Sequence, residues 1–179
     1  MAQHIVDLLI LGSGPAGYTA GIYAARAGIK VMIVSGNQEG GQLTMTASIE
    51  NFPGFEDISG YELMDKMKQQ AIKLGVQFVN DYIVEVDFAN RPFVCSSENG
   101  HSYQASAIIV ATGSSARWLN LESEKKYLGY GVSACATCDG FFYSGRDVLV
   151  IGGGNTALND ALYLADVAKS VKIIYRKSE

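Results

Sequence analysis

Residues Ile5 to Leu11, "IVDLLIL", read as a strand buried on both faces, as a central parallel strand is. "GSGPAG" follows at once, placing Gly12, Gly14 and Gly17 in G-x-G-x-x-G spacing. It opens "AGYTAGIYAARAG", a small-residue stretch that predicts a helix stopped at Gly28, and "KVMIVS" supplies the next strand. In this arrangement Gly12 permits a sharp turn, Gly14 lets backbone approach a pyrophosphate, and Gly17 lets helix and strand pack closely. The helix start would then offer free N–H groups and the positive end of its dipole to phosphates. A merely structural turn is the alternative reading.

The acid that usually holds a ribose 2′-hydroxyl belongs at the end of the second strand. Val34-Ser35-Gly36 stands there instead, and Glu39 lies beyond the strand. The expectation is a nucleotide held by loop hydroxyls, amides and backbone. The same grammar returns in "RDVLVIGGGNTALNDALYLADVAKSVKIIYRK", with strands at Val148–Ile151 and Val171–Tyr175 around Gly152, Gly154 and Ala157. Arg176-Lys177 follow the second strand, and cations there suit a 2′-phosphate, favouring NADPH over NADH; a solvated basic pair is the plainer account. Two dinucleotide loops imply two dinucleotides, and such chains pass hydride from a nicotinamide to a flavin.

Between the loops, "GGQLTMTASIENFPGFEDISGYEL" reads as a long ligand-wrapping loop. "SGYELMDKMKQQAIKLG" predicts a helix with Leu63, Met67, Ile72 and Leu74 at helical spacing, Met64 and Met67 in the core, and Gly75 as its stop. "VQFVN", "YIVEVDF", "RPFVCSS" and "SYQASAIIVATG" predict short strands of a small antiparallel sheet returning to the main one. Cys95 reads as a packed core thiol, and neither His4 nor His101 is assigned a role.

"SACATCDGFF" places Cys135 and Cys138 in a Cys-x-x-Cys pair with Asp139 directly after. A metal clip, a structural staple and a redox couple are the options. Zinc wants four ligands, and Cys95, His4 and His101 stand at no ligand spacing. "MAQHIVDLLILGSG" has no basic leader, and no apolar run is long enough for a bilayer span, so a cytoplasmic setting is expected. A reducing cytosol favours catalytic or metal-binding thiols over a staple. A net charge of −4 gives no footprint for nucleic acid or an anionic membrane. Redox chemistry fits: a thiolate attacks a disulfide, two electrons match one bond, and Asp139 is near enough in sequence to relay a proton.

"LGSGPAGYTA", "GGQLT", "ENFPG", "IVATGSSAR", "SACATCDGFFY" and "VIGGGNTA", in this order and spacing, resemble the bacterial low-molecular-weight thioredoxin reductases. The resemblance implies an α/β fold of two Rossmann-like dinucleotide-binding domains, three-layered, with a small antiparallel β insertion in the first and the second incomplete. It implies an FAD-binding domain over 1–114 and an NADPH-binding domain over 115–179. FAD would lie along Gly12, Ser13, Gly14, Pro15 and Ala16. It would be wrapped by Ser35, Gly36, Asn37, Gln38, Glu39, Gly40, Gly41, Gln42 and Asn51, and approached by Thr112 and Gly113. NADPH would use Gly152, Gly154, Asn155 and Thr156, with Arg176 and Lys177 near its 2′-phosphate. Cys135 and Cys138 would form the redox disulfide, Cys138 facing the flavin and Cys135 attacking thioredoxin, with Asp139 as proton shuttle.

A homodimer is implied as well. The chain departs from the pattern in reading Tyr175-Arg176-Lys177 for His-Arg-Arg, Asn155-Thr156 for Asp-Ser, and in its length. A lone β-α-β unit cannot cover both faces of its sheet, so a fragment that binds FAD weakly is expected. The other readings are an inactive truncated nucleotide binder and the flavoprotein reductase of a peroxidase system.

Overall fold

The strand β1 (Gln3–Leu11) is the spine of a six-stranded sheet in the computed structural model, which describes residues 2–176. After it come α1 (Pro15–Arg26), β2 (Val31–Val34), α2 (Gly60–Lys73), β3 (Gln77–Val79), β4 (Ile83–Asp87), β5 (Phe93–Ser97) and β6 (Ser102–Val110). The sheet order is β3-β2-β1-β6-β5-β4. β3, β2, β1 and β6 run parallel, while β5 and β4 close one side antiparallel. Residues Met1–Ser115 form one compact unit and Ala116–Glu179 another.

The chain signals act as physical chemistry requires. Pro15 opens α1, where its missing N–H costs no hydrogen bond, and Gly28 leaves it with positive φ. Ser59 caps α2 by accepting from the Glu62 N–H at 3.2 Å. The core-facing residues of α1 and α2, including Tyr18, Ile22, Leu63 and Met64, pack on Leu8, Ile10, Val31 and Ile33. Met67 is packed against this cluster, whereas Ile72 is exposed because it lies off the stripe that α2 turns inward. Ile5 and Asp7 are also exposed, so only Leu8 to Leu11 of β1 behave as a doubly buried strand. Each fully buried Leu or Ile here contributes about 2 kcal/mol of transfer free energy.

"VQFVN" departs from the expected pairing. β3 joins the parallel edge beside β2, because α2 carries the chain across the sheet as a crossover helix. Consequently β3 and β4 lie at opposite edges of the sheet yet are linked by residues 80–82 alone. Four Cα steps reach at most about 15 Å, while a flat six-stranded sheet is about 24 Å across. The sheet must curl until its two edges lie within that reach. That curl buries Leu9, Leu11, Met32 and Val34 against Cys95, Tyr103, Ala105 and the side chains of Ile83 and Val86. The helices, the parallel strands and the curled antiparallel end make the three layers of a Rossmann-like α/β fold.

The second unit holds α3 (Glu122–Tyr127), a single turn α4 (Ala136–Asp139), β7 (Asp147–Ile151), α5 (Asn155–Ala165) and β8 (Ser170–Ile174). β7 and β8 pair in parallel, Ile151 opposite Ile174. Ala161 and Leu164 of α5 pack on Val148, Val150 and Val171, while Leu149 and Ile151 on the other face are exposed. Among the described residues, no helix is long and apolar enough to cross a membrane.

Candidate functional site

The turn after β1 is set by backbone constraints. Gly12 has φ +112°, and its N–H donates to the Val34 carbonyl at 2.8 Å. A Cβ on Gly12 would stand 2.2 Å from Ala111 O, so the end of β6 abuts the loop and brings Thr112 and Gly113 beside it. A Cβ on Gly17 would stand 2.0 Å from Gly12 O, which is the close helix–strand approach read from the spacing. Gly14 differs: a side chain there would meet nothing within 4 Å. No side chain caps α1, so Gly14, Pro15 and Ala16 open onto a helix start whose first N–H groups are free for a ligand.

A hydrogen-bond network joins this loop to the end of β2. The Ser13 hydroxyl donates to the Ser35 carbonyl at 3.0 Å and accepts from the Gly40 N–H at 3.1 Å. Gly41 comes close to Gly14, since a Cβ on Gly41 would lie 3.3 Å from Gly14 Cα. Gln42 begins a short 3-10 turn whose Thr44 hydroxyl accepts from the Gln38 amide at 3.0 Å. Glu39 pairs with Lys68 of α2, and burial together with this nearby carboxylate pushes the Tyr18 hydroxyl up to about 12. Asn37 is exposed, as is Asn51, which lies on a bend with no hydrogen bond to this network among the described residues. The structure thus brings Gly12 to Ala16, Ser35, Gly36, Gly40, Gly41 and Thr112 together. This open, donor-rich cradle fits a dinucleotide pyrophosphate.

The second unit repeats the device. Gly152 has φ +139°, its N–H donates to the Ile174 carbonyl at 2.9 Å, and a Cβ there would stand 3.2 Å from the Ala157 Cβ. Gly154 begins α5 without a side-chain cap, placing Asn155 and Thr156 in its first turn. A Cβ on Gly153 would press on the Tyr175 ring, so the exposed Arg176 follows directly from the loop's own wall. Lys177 lies outside the described residues.

In the same unit Cys135 and Cys138 are joined by a 2.06 Å disulfide. Cys135 stands at the N-cap position of α4 without a side-chain cap, and its N–H donates to the Ser133 hydroxyl at 3.0 Å. Its sulfur lies 3.5 Å from the Thr137 hydroxyl. Cys138 is exposed and Cys135 half-buried, with Asp139 closing the turn through its N–H to the Cys135 carbonyl at 3.2 Å.

Residues 6–179 match the family described as pyridine nucleotide-disulphide oxidoreductase. This chain belongs to that family. Among curated relatives, a thioredoxin reductase of Coxiella burnetii is 52% identical over 97% of the chain. A Pseudomonas fluorescens relative at 49% identity over 95% of the chain carries another name, glucosaminate ammonia-lyase. The chain spans 54% of the first relative's length and 53% of the second's. Among solved structures, a thioredoxin reductase from Giardia duodenalis superposes with a TM-score of 0.92 at 38% identity, covering 99% of this chain and 58% of that one.

For a member of this oxidoreductase family, the pair of glycine cradles and the Cys135-x-x-Cys138 spacing are the parts that sequence made legible. It missed Ser133 and Thr137 around Cys135, Lys68 opposite Glu39, and Asp81 at the junction of the sheet edges. The signal for Asp81 was a lone acid closing the apolar run "VQFVN". Cys95 is free and wholly buried, and burial pushes its thiol up. Among the described residues, no His, Cys, Asp and Glu cluster could hold a metal.

Proposed function

We propose that this chain carries the FAD cradle, the NADPH loop and the redox disulfide of a reductase that passes electrons to a thioredoxin disulfide, acting as a homodimer. The observation that carries it is the Cys135–Cys138 bond, held beside Asp139 in a chain with two glycine cradles. FAD, when bound, supplies a two-electron carrier between a nicotinamide and a single disulfide. Gly12 to Ala16 and the α1 amides would hold its pyrophosphate, and the Ser35–Gln42 loop its flank. Gly152, Gly154, Asn155 and Thr156 would hold NADPH, with Arg176 and Lys177 meeting its 2′-phosphate.

On two-electron reduction, the Cys135–Cys138 bond opens to one thiol and one thiolate, with Asp139 passing the proton that one leaving sulfur takes and Cys135 serving as the thiolate for the next step. Cys135 then attacks the thioredoxin disulfide, forming a mixed disulfide. Cys138 resolves it, restoring its bond to Cys135 and releasing reduced thioredoxin. The test is to saturate the purified chain with FAD, record its visible spectrum, and add NADPH and oxidised thioredoxin. NADPH consumption matched by new thioredoxin thiols is expected. Bound flavin that bleaches while Cys135–Cys138 stays oxidised would sink the proposal.

A further inference from the structure

Residues 80–82 join the two edges of the curled sheet, and Asp81 sits at their centre with only 1% of its side chain exposed. Donors from several segments converge on its carboxylate. The Tyr103 hydroxyl donates at 2.6 Å, the Asn99 amide at 2.8 Å, the Tyr82 N–H at 2.8 Å, and His101 Nδ1 lies at 3.1 Å. Asn99 and His101 belong to the turn between β5 and β6, and Tyr103 is the second residue of β6. His4 of β1 stacks on the Tyr103 ring, with centroids 5.0 Å apart. A buried carboxylate opposes its own charge by desolvation. The hydroxyls of Ser97 and Tyr103, the Tyr82 N–H and the Asn99 amide outweigh that cost and keep it ionised far below the usual range.

The backbone of the same short segment carries the end of β2. The Ser35 N–H donates to the Val79 carbonyl and the Gly36 N–H to the Asp81 carbonyl, both at 3.0 Å. The Ser35 hydroxyl reaches Asn80 Oδ1 at 3.1 Å. Ser35 is in turn the residue whose carbonyl anchors Ser13 of the glycine loop. In a βαβ dinucleotide site the end of the second strand flanks the ribose of the adenosine, where this chain lacks an acid. Its turn must therefore be shaped by what it rests upon.

We infer that Asp81 is a positioning residue for the adenosine side of the first dinucleotide site, its carboxylate gripped by the β5–β6 turn so that residues 79–81 hold the Ser35–Gly36 turn in place. The inference rests on the FAD reading of that site. It gives a buried acid a task at a distance from the ligand: rigidity at the sheet junction becomes affinity at the cradle.

The test compares the unaltered chain with Asp81→Asn and with Tyr103→Phe, an isosteric change that removes only the shortest donor. Two quantities are read on each by NMR, under conditions where circular dichroism shows native structure: amide exchange without ligand, and the dissociation constant for FAD by titration. Losing one charge-assisted bond predicts about tenfold weaker FAD binding. Faster exchange is expected at the Gly36 amide, with the Ile10 and Ile33 amides still protected. Unchanged FAD affinity in Tyr103→Phe overturns the inference, as does weaker affinity with unchanged Gly36 exchange. If the unaltered chain binds no FAD, the FAD reading itself fails, a result separable from both because it appears in the control.

Discussion

Gly14→Ala separates what the first glycine loop needs for folding from what it needs for binding. Gly14 has φ −72° and ψ −175°, an extended backbone open to any residue. An added methyl would meet no atom within 4 Å. Two small effects on stability then oppose each other. Alanine is a poorer N-cap than glycine by a few tenths of a kcal/mol or more, while replacing glycine restricts the unfolded chain by about 0.4–1 kcal/mol. The net change in folding free energy should lie within about 0.5 kcal/mol. Binding should respond very differently. The methyl would occupy the open side of the cradle, where a pyrophosphate must approach the α1 amides. Losing one hydrogen bond to a charged group costs about 2 kcal/mol, or roughly 30-fold in affinity. Urea unfolding followed by circular dichroism measures the first quantity, and FAD titration followed by NMR the second. A stable variant that binds FAD as well as the unaltered chain would show that the ligand does not use this cradle. A variant destabilised by several kcal/mol would refute the geometric argument instead.

Gly12→Ala should behave in the opposite way, losing about 3 kcal/mol or more of stability, because positive φ and the clash with Ala111 O both fall on the backbone; an unchanged urea midpoint would contradict this. After mild reduction, Ellman's reagent should titrate Cys135 and Cys138 promptly in the folded chain, while Cys95 reacts only on unfolding. Cys138→Ser should abolish thioredoxin reduction yet leave flavin reduction by NADPH, and loss of both would assign Cys138 a structural role. Asp81 is held below its ordinary range when folded, so its stabilisation is present above the unfolded pKa of about 3.9 and is lost as pH falls beneath it. Urea midpoints measured from about pH 5 down to about pH 2 should therefore drop in the unaltered chain, chiefly below about pH 4, and drop less in Asp81→Asn.

Local pattern determined much of this protein. The Gly12-x-Gly14-x-x-Gly17 and Gly152-x-Gly154-x-x-Ala157 turns, the strands before them and the helices after them follow from steric rules acting over a few residues. The Cys135–Cys138 spacing is local in the same sense, but it suits a metal clip as well as a disulfide, and the bond was implied by the family resemblance before the structure showed it. Ser59 and Gly75 bounded α2 for the same local reason.

Only the tertiary structure decided the rest. "VQFVN" carries no mark of whether it pairs with β2 or with the strands that follow it, since pairing partners depend on where α2 returns the chain. Ile5 and Ile72 look like core residues in a linear pattern, and only the packed sheet and helices show them facing outward. Asp81, Asn99, His101 and Tyr103 meet across as many as 22 residues of sequence because the sheet curls shut. Hydrogen bonds between segments so far apart arise from closure of the whole layer, which no window of neighbouring residues encodes.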